Sequence, residues 1–407
     1  MSTATRRFPL TDWTVVVPVV ALLALVFSWG RDLPGFAVGL VALCLGGAVL
    51  AAVHHAEVVA HRVGEPFGSL VLAVAVTVIE VALIVTLMAD GGDKTASLAR
   101  DTVFAAVMIT CNGIVGLSLL VGALRNRVAV FNAEGSGAAL ATVATLAVLS
   151  LVLPTFTTSK PGPEFSTAQL TFAAVASLAL YGLFIAVQTV RHRDYFLPVD
   201  TGAGTERAAG AAAGAAGGGD GAAGRGGAAA GDGGAAAGDG DGAARDGDGE
   251  HAAPPTSRAA LVSLGLLLVA LVAVVGDAKA VSPTIERAVA GAGLPNAVVG
   301  VIIALLVLAP ETLAAVRAAR RDRVQTSLNL GYGSAIASIG LTIPAIALAT
   351  VWLSGPLLLG LGPIHMVLLA LTVVVSALTI APGRATLLQG GVHLVLLAAY
   401  LFLAVSP

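Results

Sequence analysis

The stretch FGSLVLAVAVTVIEVALIVTLM, from Phe67 to Met88, is long enough to cross a bilayer as one helix. Similar apolar runs recur along the chain. They lie at residues 13–29, 35–56, 67–88, 102–122, 138–156, 168–190, 259–280, 296–318, 326–352, 362–381 and 386–404. About 20 apolar residues in a helix match the roughly 30 Å of a hydrocarbon core. Backbone in lipid must satisfy its own hydrogen bonds, so such runs become helices. A soluble domain of this size carries about a quarter charged residues. This chain of 407 residues carries 11% and is 57% hydrophobic, which excludes a soluble helical core. The expectation is an all-α integral membrane protein with eleven transmembrane helices.

Basic residues test that count. With a cytoplasmic N-terminus, the inner segments hold sixteen of the 22 lysines and arginines and the outer ones six. Without Arg207, Arg225 and Arg245, which lie in a long connection, the ratio is thirteen to six. Such a bias marks the cytoplasmic side. This predicts a multi-pass protein of the cytoplasmic (inner) membrane, N-terminus cytoplasmic and C-terminus outside. The first run lacks a small-residue cleavage site and reads as a retained span. Cys44 and Cys111 lie in apolar runs and read as small buried hydrophobes.

Between the sixth and seventh spans lies AAGAAAGAAGGGDGAAGRGGAAAGDGGAAAGDGDGAARDGDGE. Such Ala/Gly sequence buries no core, so residues 191–258 read as a disordered cytoplasmic linker. Residues 200–251 hold nine acids and three arginines, a net −6 that leaves +4 elsewhere in a chain of net −2. The chain then divides into an N-terminal helix (13–29), a first half (35–190), the linker and a second half (259–404). Each half has five spans. Five is odd, so two related halves would enter the membrane in opposite senses, as two inverted five-helix repeats. Weak similarities support the relation. LAVAVTVIEVALIV and IALLVLAPETLAAV each carry one glutamate, Glu80 and Glu311. VMITCNG and VQTSLNLG each place an asparagine, Asn112 and Asn329, five residues after a valine.

Nearly all of the 24 acids fall in loops, at span ends or in the linker. Glu80 and Glu311 alone read as clearly inside spans, roughly 20 Å and about 22 Å along them. An acid in hydrocarbon costs several kcal/mol and marks a functional site. Pro310 deprives the Leu306 carbonyl of its helical donor. A free carbonyl beside a carboxylate suits a hard cation. Thr77 precedes Glu80 by one turn. Ser327, Ser334, Ser338 and Thr342 share one face of the ninth span, which also carries Gln325 and Asn329. Thr110, Asn112 and two glycines make the fourth span its counterpart. The candidate cation and proton ligands are Glu80, Glu311, Asn112, Asn329, Ser334, Thr77, Gln325 and Leu306, with Glu57 at an entrance near the inner end of the second span.

Other chemistries find little footing. HHAEVVAHRVGEPFG gathers His54, His55, Glu57 and His61, but without the HExxH spacing of a zinc protease. Glu65 and Arg62 read as interfacial, and His365 and His393 as structural. There is no phosphate loop, nucleophile elbow or basic nucleic-acid stripe. The expected partners are cations, protons and the lipid bilayer, with no cofactor, no nucleic acid and no enzymatic role; the oligomeric state is not legible.

Three segments carry a family resemblance: AEVVAHRVGEPFGSLVLAVAVTVIEVALIV, RDTVFAAVMITCNGIVGLSLLVGALR and LAPETLAAVRAARRDRVQTSLNLGYGSAIASIGLTIP. With them the chain resembles the calcium/proton antiporter family of the cation/calcium exchanger superfamily, nearest its bacterial ChaA-type branch. The resemblance implies eleven spans in two inverted repeats, and glutamates at the cation site in the positions of Glu80 and Glu311. Where the family often has GNxxE, this chain has VTVIE and LAPE, so Val76–Thr77 and Leu308 replace the Gly-Asn pairs. It also implies exchange of Ca2+ for protons by alternating access, with Na+/H+ or K+/H+ exchange as the alternative on the same fold. A channel using the same acids is the third reading. Relatives with a strongly acidic helix between the halves differ from this Ala/Gly linker.

Overall fold

Apolar side chains and internally closed backbone hydrogen bonds make a helix of nearly every apolar run. The fold is that of a computed structural model, which describes residues 12–31, 33–64, 67–90, 96–199, 255–295, 297–352 and 355–406. The linker from 200 to 254 and Glu65 lie outside the described residues. The helices are α1 (Trp13–Ser28), α2 (Gly35–Val63), α3 (Phe67–Asp90), α4 (Leu98–Asn126), α5 (Ala133–Phe156), α6 (Thr167–Arg191), α7 (Ser257–Gly291), α8 (Ala297–Arg320), α9 (Val324–Ala349), α10 (Pro363–Ile380) and α11 (Leu387–Val405). Among the described residues, nine helices are long and apolar enough to cross a membrane; α1 and Val74–Ala89 within α3 are shorter apolar helices.

Local chemistry sets the helix ends. Asp12 caps α1, Asn132 caps α5 and Thr256 caps α7. Ser166 with Gln169, and Thr386 with Gln389, form capping boxes on α6 and α11. Gly64, at φ 78°, closes α2 in a conformation that costs glycine little.

Two helices outrun the expected spans. Helix α2 continues past residue 56 to Val63, through the histidine-rich segment. Helix α7 is 35 residues long and ends at Gly291, not at 280. Its polar second half satisfies itself: the Ser282 hydroxyl donates to Glu286 (2.9 Å), and Arg287 donates to the Pro283 carbonyl (3.0 Å) and to Thr284 (3.0 Å). Pro283 costs the helix one N–H without ending it.

Helices α4 and α9 lie deepest, α4 being buried along almost all of its length. Helix α4 packs on α8 and α11, and α9 packs on α3, α5, α6 and α8. Helices α2 and α7 pack against each other and α1 lies on both. Arg62 at the end of α2 donates to Ser257 at the start of α7 (2.9 Å), so these two helices run in opposite directions. The packing is paired between the halves: α3 meets α9 as α8 meets α4, and α6 meets α9 as α11 meets α4. Two short strands, β1 (Ala129–Val130) and β2 (Arg384–Ala385), pair antiparallel across the halves.

A wide π-turn, Ile109–Ile114, interrupts α4 at its buried centre. Such turns insert an extra residue and often accompany function. Further π-turns fall at Val148–Val152, beside Pro154, and at Val187–Arg191.

Candidate cation and proton site

Glu80 is 4% exposed and sits on the buried side of α3, with Val76, Ile79 and Leu83. The Ser338 hydroxyl of α9 donates to its Oε1 at 2.6 Å. That is at the short end for a hydroxyl donating to an oxygen. Thr77 is buried one turn before Glu80. Ser334, half-buried, precedes Ser338 by one turn on the same face of α9. The Glu80 pocket is therefore built by a glutamate helix from one half and a hydroxyl helix from the other.

Glu311 sits on α8 immediately after Pro310, and the helix runs through the proline unbroken. Glu311 is half-buried, yet its Oε2 is enclosed and has no hydrogen-bond partner among the described residues. Glu80 and Glu57 lie within electrostatic reach of it. These carboxyl groups come from three helices, α2, α3 and α8. Leu306, whose carbonyl faces Pro310, lines a cavity of about 40 Å³ with Leu45, Leu83, Ala278, Val281 and Ser282.

Glycine brings α8 onto α4. A Cβ on Gly300 would stand 3.0 Å from the backbone of Asp101 and Thr102. Helix α8 also touches the π-turn of α4. Each glutamate helix therefore lies against the deeply buried helix of the other half.

The predicted amide ligands are engaged elsewhere. Asn112, in the π-turn, donates from Nδ2 to the Thr372 hydroxyl (2.9 Å) and accepts at Oδ1 from His393 Nδ1 (3.1 Å). That fixes the His393 tautomer, whose Nε2 accepts from Thr379 (3.3 Å). Gln325 accepts from the Asn132 backbone N–H (2.7 Å) and donates to Asn329 Oδ1 (2.8 Å). Asn329 in turn donates to the Phe196 carbonyl (2.6 Å). These contacts tie α4 to α10 and α11, and α9 to the segments before α5 and after α6. Ser327 belongs to another layer: its hydroxyl donates to the Ala315 carbonyl at 2.6 Å. Of the four hydroxyls aligned on α9 in the sequence, Ser327 and Ser338 thus serve different neighbours, while that of Thr342 is buried with no hydrogen-bond partner among the described residues.

The histidine cluster has a different role. Pro18 leaves the Thr14 carbonyl of α1 without a helical donor, and His55 Nε2 donates to it at 2.8 Å. The His54 ring lies 6.0 Å from that of Trp13, tilted by 48°. Among the described residues, no group of three or more His, Cys, Asp and Glu could hold a metal ion.

One acid escaped the sequence reading. Asp277, three residues short of the end of the run 259–280, fell among the acids not read as clearly inside a span. In the full α7 it is a mid-helix residue with 0% exposure. The available signal was a lone aspartate inside LLVALVAVVGDAKAV.

Comparison with known proteins agrees with this architecture. Residues 31–190 and 262–406 match the family described as Sodium/calcium exchanger protein. The protein y4hA of Sinorhizobium fredii, named for ionic transport, is 40% identical over 97% of this chain and 96% of its own length. The sodium-potassium/proton antiporter ChaA of Escherichia coli is 32% identical over 96% of this chain and 95% of its own. In fold, the chain is similar to native YfkE, with TM-score 0.66 and 13% identity over 97% of this chain and 100% of that one. It is likewise similar to the H+/Ca2+ exchanger CAX, with TM-score 0.62 and 14% identity over 96% of this chain and 86% of that one.

Proposed function

Because this chain belongs to the sodium/calcium exchanger family, a family of multi-pass membrane cation exchangers, we propose that it exchanges a cytoplasmic cation for protons at a site built on Glu80 and Glu311. The observation that carries this reading is the convergence of the two glutamates. They come from paired helices of the two halves, Glu80 is buried and Glu311 keeps one enclosed carboxyl oxygen, and the two lie within electrostatic reach of each other.

Such a pair has two comfortable states. Both carboxylates can be ionised around a cation, or both can be protonated. The empty, doubly ionised state leaves two charges in a medium that solvates neither. Its cost couples the cation flux to the proton flux. Ca2+ prefers six to eight oxygens. Here the Ser338, Ser334 and Thr77 hydroxyls, the Leu306 carbonyl and water would add to the carboxylates. Glu57 draws cations toward Glu311 from the inner end of α2. The halves are inverted repeats, eleven helices cross the inner membrane with the N-terminus inside, and alternating access moves the site between the two faces.

Ca2+ is the cation this reading favours, and CAX, named as an H+/Ca2+ exchanger, shares the fold. A second reading has a specific observation behind it. ChaA, at 32% identity, is named a sodium-potassium/proton antiporter, and Na+ or K+ would occupy the same pair. Everted vesicles carrying the chain, preloaded with acid and given Ca2+, Na+ and K+ separately, test both by dequenching of a pH-sensitive dye. Dequenching by Ca2+ alone supports the first reading and by Na+ or K+ alone the second. Cation uptake with no proton movement would reveal a channel instead.

A further inference from the structure

Asp277 lies where three helices meet. Residue Gly276 packs against Leu25 of α1, and the Cys44 thiol of α2 is within electrostatic reach of Asp277. Asp277 has 0% exposure, and neither of its carboxyl oxygens has a hydrogen-bond partner among the described residues. On its own helix Ala270, Ala273 and Val274 are buried before it and Val281 after it. Helix α1 has no ionisable side chain at all. The other acids on neighbouring helices are Glu57 on α2, thirteen residues beyond Cys44, Glu80 and Asp90 on α3, and Glu311 on α8. Helices α3 and α8 turn Leu83, Leu87, Val299, Ile303 and Leu306 toward α7 around the shared cavity.

An ionised carboxylate in that setting would have no hydrogen-bond donor among the described residues, a cost that neutralisation removes. A metal ion is not the neutralising species, because among the described residues Asp277 belongs to no group of three or more His, Cys, Asp and Glu that could hold one. A proton needs no such group. We propose that Asp277 is a third proton-binding carboxyl of this protein, separate from the glutamate pair, which holds a proton in this packing and releases it when α7 shifts against α1 and α2.

The room for such a shift is in view. Val281, one turn beyond Asp277 on the same face, lines the cavity of about 40 Å³ with Ala278 and Ser282. Across the cavity stand residues of both glutamate helices. In the release step the carboxyl O–H bond breaks, water admitted by the moving helix accepts the proton, and the carboxylate remains. Gly276 suits a sliding surface, since it places bare backbone against Leu25. Only the link to transport rests on the exchange reading.

The test uses the full chain in phosphatidylcholine/phosphatidylglycerol vesicles, treated with dicyclohexylcarbodiimide. This reagent modifies protonated carboxyls in apolar surroundings, and peptide mass mapping locates the adduct. Asp277 should be modified, less so as pH rises, and equally with or without Ca2+, Na+ or K+. Glu80 and Glu311 should be protected by the transported cation. In proteoliposomes, Asp277→Asn should lower the steepness of exchange against pH by about one proton, and Asp277→Glu should restore it. Modification of Asp277 that does not fall with pH overturns the proposal. So does an unchanged pH steepness in Asp277→Asn. Loss of cation protection at Glu80 and Glu311 sinks the two-glutamate reading and leaves a pH-dependent Asp277 adduct standing as support for the third site.

Discussion

Glu80 takes a 2.6 Å hydrogen bond from Ser338, whereas Glu311 is half-buried and its enclosed Oε2 has no partner among the described residues. The first is anchored by a hydroxyl from the opposite half. The second is held by backbone alone, on the turn that follows a proline, with a further acid, Glu57, within reach. Similar helices in similar packing thus give the two carboxyls different freedom. An anchored ligand fixes where a cation sits. A free one can close over the cation or turn to water. In this packing Glu311 is the more accessible of the two, on the side of Glu57.

The largest effect should come from removing either carboxylate. Glu80→Gln and Glu311→Gln should each lower cation-driven proton flux more than about 100-fold, since even outer partners of a bound metal are worth 10–100-fold. Retained flux in one variant would reduce the pair to a single working acid. Gly300→Ala comes next. Its methyl would press on the Asp101–Thr102 backbone and cost about 1–3 kcal/mol. Thermal unfolding in detergent should shift down, and cation affinity should fall by way of Glu311. Full affinity alongside lost stability would separate α8 packing from the site.

Ser338→Ala should cost about 0.5–1.5 kcal/mol at Glu80. Isothermal titration should show this as a severalfold weaker cation affinity, in a protein that still folds. An unchanged affinity would mean that Glu80 needs no anchor. Glu57→Gln should have the smallest effect, of about 0.2–1 kcal/mol, because a half-exposed charge is screened. Half-saturating cation concentration should rise at low salt and the difference should shrink at high salt. An effect independent of salt would place Glu57 among the ligands.

The sequence went far toward the fold because hydrocarbon imposes one rule on every span. The lengths of apolar runs and the bias of arginines need no knowledge of neighbours. Glu80 and Glu311 were legible for the same reason, as acids amid apolar residues. Asp277 was hidden by its polar flank: Lys279, Ser282, Pro283 and Glu286 look like a span end, whereas Ser282 bonds Glu286 within the helix, which continues to Gly291. The partners of the amides were out of reach for another reason. Asn112 finds Thr372 and His393 more than 250 residues away, and no local pattern foretells such partners. Ser338 was visible as a member of a hydroxyl face, but four hydroxyls on one face gave no ground for choosing the one that meets Glu80.

The bond from His55 to the Thr14 carbonyl bears on what the first helix is for. A proline exposes a backbone oxygen in α1, and a buried imidazole of α2 claims it. Cutting the chain back to its two five-helix halves would therefore strand an imidazole N–H facing lipid. The N-terminal helix is the lid on a polar fault line, and any minimal version of this exchanger that discards it must also change position 55 to something that asks for no acceptor.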